Sequence, residues 1–90
     1  MGYRIELGEI ETAINAMDGI IACACIYADD KIILYYQAKD LTDEDIIKYI
    51  SKKVPKYMVP NVLKNIKLMP HNANGKIDRV LLKKMYEEEK

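Results

Sequence analysis

Lys76 directly follows Asn74-Gly75, the strongest short turn signal in the chain because both residues tolerate positive φ. A lysine in that place stands at an exposed tip, where its compact ammonium can meet an anion. Taken alone, the pattern is first of all a solvated surface lysine, with anion contact as the sharper alternative. A Walker-type phosphate loop is excluded, since Pro70 stands where its first glycine belongs and Ile77 replaces its Ser/Thr. His71 is the only histidine, and no serine, cysteine or carboxylate lies at a recognisable triad spacing from it. Nucleophilic catalysis therefore lacks support. Cys23 and Cys25 alternate within an apolar stretch, which sends both side chains to one face of a strand in a poor geometry for a disulfide. They read as small buried hydrophobes. A lone Cys-x-Cys without a nearby histidine is a weak metal signal, and no metal site is expected. Tyr35, Tyr36 and Tyr57 read as core or rim residues rather than a base-stacking platform.

The elements that must position Lys76 follow from periodicity. Ile10, Ala13, Ile14 and Met17 recur at helical spacing, with Glu9 and Glu11 placed at the helix start and Asp18-Gly19 as the stop. Residues 20–27 and 31–38 read as strands joined at Asp29-Asp30, a hairpin buried on at least one face. Thr42 and Asp45 form a capping-box pattern that opens a helix through Ile46, Ile47, Ile50 and Val54, ended by Pro55. Val59 is extended for the same reason, and a third strand is expected over 62–69. After the Asn74-Gly75 turn a last helix starts at Arg79, capped by Asp78 and stapled by Ile77 and Leu82. Its Glu-Glu-Glu-Lys end carries charge of the wrong sign for the helix dipole and is expected to fray. A short strand over 3–6 is a further candidate. The order predicts an α+β fold: two layers, with helices on one face of a small, largely antiparallel sheet of about three strands.

Composition narrows the function classes. The 90 residues carry 14 Lys plus Arg and 14 Asp plus Glu, so no basic surplus marks a nucleic-acid binder. No apolar run approaches the ~20 residues of a membrane span. No signal peptide is visible, and the cysteine usage fits a reducing, cytoplasmic setting. A chain this short makes one domain, without room for a deep active site of its own.

Three longer motifs change the weight of Lys76. The opening, Gly2-Tyr3-Arg4-Ile5-Glu6-Leu7-Gly8-Glu9-Ile10-Glu11, resembles the motif that begins the C-terminal lid domain of the adenylate-forming superfamily. It is most like the amino-acid adenylation domains of nonribosomal peptide synthetases and their stand-alone relatives. Val54-Pro55-Lys56-Tyr57-Met58-Val59-Pro60 is similar to that family's next motif. Met69-Pro70-His71-Asn72-Ala73-Asn74-Gly75-Lys76-Ile77-Asp78-Arg79 is similar to its last, with Met69 in place of a usual leucine and Asn72 in place of a usual threonine. Related acyl-CoA synthetases commonly end in Ser-Gly-Lys and lack the Arg-Ile-Glu-Leu opening, so both ends favour an amino-acid-activating enzyme.

The resemblance implies roles residue by residue. Lys76 would reach into a large N-terminal domain and bridge the substrate carboxylate and the ATP α-phosphate as an electrostatic clamp. Asn74 and Gly75 would shape the turn that presents it, with Asp78 and Arg79 anchoring that turn. After a rotation of the lid, Gly2, Tyr3 and Arg4 would line the tunnel for the phosphopantetheine arm of a carrier protein, Gly2 leaving room by its missing side chain. ATP with Mg2+ would be bound by the large domain, which residues 1–90 do not contain, so the lid alone is expected to be inactive. The alternatives are the lid of an acyl-CoA synthetase and a pure carrier-docking module.

Overall fold

The computed structural model describes residues 6–89, in the order α1 (Leu7–Asn15), β1 (Ile20–Ala28), β2 (Lys31–Ala38), α2 (Asp43–Ile50), a 3-10 turn (Lys56–Met58), β3 (Val62–Asn65) and α3 (Arg79–Glu89). Gly2, Tyr3 and Arg4 lie outside the described residues, as does all but Glu6 of the strand considered over 3–6.

The three strands form one sheet in the order β1-β2-β3. β1 and β2 make the expected antiparallel hairpin, with Ala28 opposite Lys31. Its two-residue loop holds Asp29 at φ 54 and Asp30 at φ 60, the double left-handed conformation that matches strand twist. β3 runs parallel to β2, pairing Ile33 with Val62 through Tyr36 with Asn65, so the sheet is mixed. Asn61 sets this register, since its Oδ1 accepts from the Ile32 N–H at 2.8 Å while its own N–H donates to the Ile32 carbonyl at 2.9 Å.

The α+β class and the three-strand count match the expectation, but the layering does not. Helices cover both faces of the sheet rather than one, giving three layers instead of two, and the parallel β3 makes the sheet mixed rather than largely antiparallel. Ile10 and Ile14 of α1 and Ile46 and Ile50 of α2 pack with Cys23, Cys25, Leu34 and Tyr36 on one face of the sheet. Leu82 and Tyr86 of α3 pack with Ala24, Ile26, Ile33 and Tyr35 on the other. Burial on both faces explains why residues 32–36 of β2 are all buried, a continuous apolar run rather than an alternating one.

Several boundaries differ from the sequence-based expectation. α2 ends at Ile50 rather than at Val54, because the chain tightens there: Lys52 N–H donates to Tyr49 O, an i to i+3 bond, ahead of Pro55. Its capping box is present in both directions, at 3.2 and 3.0 Å between Thr42 and Asp45. β3 covers 62–65 only, since Met69 N–H turns away to the Gln37 side chain at 2.9 Å instead of extending the ladder. α3 stays helical through Glu89, where Lys64 of β3 supplies a cation at 3.1 Å.

Candidate functional site: the Lys76 turn

Met69 to Arg79 form a hairpin-like excursion between β3 and α3, fastened at its base. Gln37 receives Met69, Asp78 N–H donates to Pro70 O at 2.9 Å, and His71 bridges Ile77 in antiparallel fashion. Buried Met69 and half-buried Ile77 pack into the α3-side core, so apolar contact holds the two legs of the loop from below. Asp78 caps α3 as expected, its Oδ1 accepting from Leu81 N–H at 3.0 Å. Ile77 and Leu82 lie in the same apolar cluster, which is the staple the sequence predicts.

Above that base the tip is closed by backbone bonds. Gly75 N–H donates to Asn72 O at 3.0 Å, and Asn72 N–H donates to Lys76 O at 2.7 Å. Gly75 sits at φ 81, the left-handed position that ends a three-residue loop of this kind and that a side chain strains. Asn74 is absent from the positive-φ residues, so of the two residues that tolerate the left-handed conformation only Gly75 takes it.

The residue that the sequence reading passed over is Asn72. Its Oδ1 accepts from Asn74 N–H at 2.9 Å and from Lys76 N–H at 3.2 Å, an Asx-type clamp across the tip. The signal was its place four residues before Lys76, within reach of that amide. Replacing Asn72 by alanine removes an acceptor worth about 1 kcal/mol. Amide hydrogen exchange at Lys76 and Asn74 should then quicken roughly fivefold. Asn72→Asp, which keeps the oxygen, should leave exchange unchanged.

Lys76 is exposed, and among the described residues no carboxylate lies within ion-pair distance of it. Its ammonium is therefore an uncommitted cation on a braced support. Arg79 has a different duty, since its Nη2 donates to Glu11 Oε1 at 2.6 Å. Glu11 Oε2 accepts from Cys25 N–H at 2.7 Å. That carboxylate, expected at a helix start, instead joins α1 to β1 and to the first residue of α3.

The remaining candidates stay out of any reactive cluster. His71 is exposed and its Nδ1 lies 2.9 Å from Met69 O, so that nitrogen carries the proton. Cys23 and Cys25 are buried on one face, free of any disulfide. Burial, helped by Glu11, pushes the Cys23 thiol up to about 12 and raises Cys25 for the same reasons. Neither is a thiolate at neutral pH. Among the described residues no group of His, Cys, Asp and Glu could hold a metal ion, and no helix is long and apolar enough to cross a membrane. Two open surface clefts, of about 520 and 640 Å³, flank α2 and α1, and neither is lined by the lysine turn.

Comparison with known proteins gives this geometry a setting. Residues 9–76 match the family described as the AMP-binding enzyme C-terminal domain. Zwittermicin A synthase ZmaJ of Bacillus cereus is 38% identical over 87 residues, covering 90% of this chain and 17% of the synthase. A solved four-domain nonribosomal peptide synthetase bound to AMP and glycine superposes with a TM-score of 0.77 at 33% identity, over 88% of this chain and 6% of that one. Klebsiella oxytoca NpsA, in complex with 3-hydroxyanthranilyl-AMSN, shares the fold at a TM-score of 0.87 and 24% identity, over 94% of this chain and 18% of its own. The chain thus spans a small fraction of each of these relatives. With the family match running from α1 to Lys76 itself, this chain belongs to the AMP-binding enzyme C-terminal domain family.

Proposed function

We propose that the chain is the lid of an ATP-dependent, AMP-forming ligase that activates an amino acid and passes it to the phosphopantetheine thiol of a carrier protein. The observation that carries this reading is the Lys76 tip: an exposed ammonium without a carboxylate partner among the described residues, on a turn fastened to the sheet and to α3. Carboxylate attack on a phosphate brings two anions together. A cation held between them offsets the repulsion as charge shifts, provided its support does not move.

This chain would supply charge and shape, while the nucleotide and Mg2+ would sit mainly in a large N-terminal partner domain. Lys76 is free to meet an anionic oxygen, whereas no acidic cluster among the described residues could hold the metal. Leu68 and Val80, 78% and 82% exposed, are the most exposed of the large apolar side chains described and flank the turn in sequence. They fit a face that a partner domain covers. Amino-acid rather than acyl-CoA chemistry is supported by the peptide-synthase relatives, one of them solved with AMP and glycine. Gly2, Tyr3 and Arg4 would line the pantetheine path in the thiolation state, in a cytoplasmic enzyme.

The 90 residues alone should give no amino-acid-dependent pyrophosphate exchange. The intact ligase should load an amino acid onto a phosphopantetheinylated carrier at least tenfold faster than onto free coenzyme A. Preference for coenzyme A would move the chain to the acyl-CoA branch. Robust exchange by the lid alone would overturn the reading.

A further inference from the structure

We propose that Glu11 is a positioning residue for the Lys76 reaction, acting through Arg79, a role that rests on the function proposed above. Both oxygens of the Glu11 carboxylate are engaged, Oε2 by the Cys25 amide at 2.7 Å and Oε1 by Arg79 Nη2 at 2.6 Å. Among the described residues β1 is an edge strand, and the Cys25 amide finds in Glu11 the acceptor that a further strand would otherwise provide. The Glu11 side chain is only 15% exposed, against 47% for Arg79. A solvated helix-face carboxylate would not be enclosed in this way.

Position gives the bridge its meaning. Arg79 opens α3 three residues after Lys76, directly beyond the Asp78 cap. Glu11 is the last residue of the opening motif and lies on α1. One carboxylate therefore ties the sheet, the helix into which the opening motif runs and the root of the lysine turn into one unit. The Arg79 end of the pair is half-exposed, so water can take over part of its interaction and the pair contributes little to folding compared with the apolar core. A displacement of about 1 Å in a group that must meet a developing charge is far more costly, up to ~100-fold in rate. The bridge acts on direction, not on stability.

The test uses the intact ligase and separates adenylate formation from thiolation of pre-formed adenylate, for Arg79→Ala, Glu11→Gln, Arg79→Lys and Lys76→Ala. Glu11→Gln keeps an oxygen for the Cys25 amide but turns an NH2 toward Arg79, removing the charge and the acceptor for the guanidinium together, so it breaks the bridge from the other side if Arg79→Ala fails to fold. Arg79→Ala and Glu11→Gln should slow adenylate formation roughly 10- to 100-fold, mainly in kcat, with thiolation within about twofold of the parent. Arg79→Lys should recover most of the rate. Unchanged adenylate formation, or equal loss in both half-reactions, overturns the positioning role. If Lys76→Ala itself leaves adenylate formation intact, the proposed function falls and this role with it. If Lys76→Ala is impaired while the Glu11 and Arg79 variants are not, only the positioning role falls.

Discussion

Replacing Lys76 by alanine in the intact ligase should slow adenylate formation by about two to three orders of magnitude, the cost of removing one preorganised charge from a developing anionic centre. The size follows from where the ammonium sits. It has no ion-pair partner to give up among the described residues, and its backbone is fixed by the Asn72 clamp and the Asn72–Lys76 carbonyl bond. Little reorganisation is then needed as charge builds, and removing the cation loses the whole benefit. Because Lys76 is exposed and away from both apolar clusters, the variant should unfold at the parent temperature. Lys76→Arg tests shape: a planar fork on a stem one methylene shorter carries the charge but not the compact ammonium. It should recover only part of the rate.

The second large effect concerns the scaffold. Leu34 is fully buried in the middle strand, in the cluster that joins α1 and α2 to the sheet. Leu34→Ala should cost about 3 kcal/mol, the transfer loss of the missing methyls plus the cavity they leave. A domain of 90 residues has roughly 5–13 kcal/mol in total, so this is a large share. The melting temperature should fall by roughly 12–24 °C. Ile21→Ala, at a side chain 64% exposed on β1, should stay within about 0.5 kcal/mol of the parent. Urea unfolding of the two variants checks both values. A cost below about 1 kcal/mol at Leu34 would mean that the core relaxes around the gap.

Much of this fold was legible because local signals and burial agreed. The capping box at Thr42, the Asp78 cap and the Ile77–Leu82 staple are short-range chemistry, and each stands where its residues put it. What escaped was non-local. A four-residue strand such as 62–65 carries no mark of its partner, so its parallel pairing with β2 could not be read from spacing. Glu11 met the pattern of a helix-start carboxylate and therefore hid its bond to a residue 68 positions away. Asn72 was passed over because it replaces a more usual residue in the motif, although its short side-chain amide suits a turn of this kind. Lys76 was the reverse case. Its own turn described only a surface lysine, and the resemblance of the three ordered motifs implies a role for it; the geometry adds a braced ammonium with no carboxylate partner among the described residues. Gly2, Tyr3 and Arg4 remain expectations from the motif, since they lie outside the described residues.

The central claim is that Lys76 works in one half-reaction and not in the other. Single-turnover transfer from pre-formed aminoacyl-adenylate to a phosphopantetheinylated carrier, measured with Lys76→Ala beside the parent enzyme, tests it most directly. The two should transfer at rates within about twofold of each other, while pyrophosphate exchange by the variant is down by about 100-fold or more. Transfer reduced as severely as exchange would contradict the account.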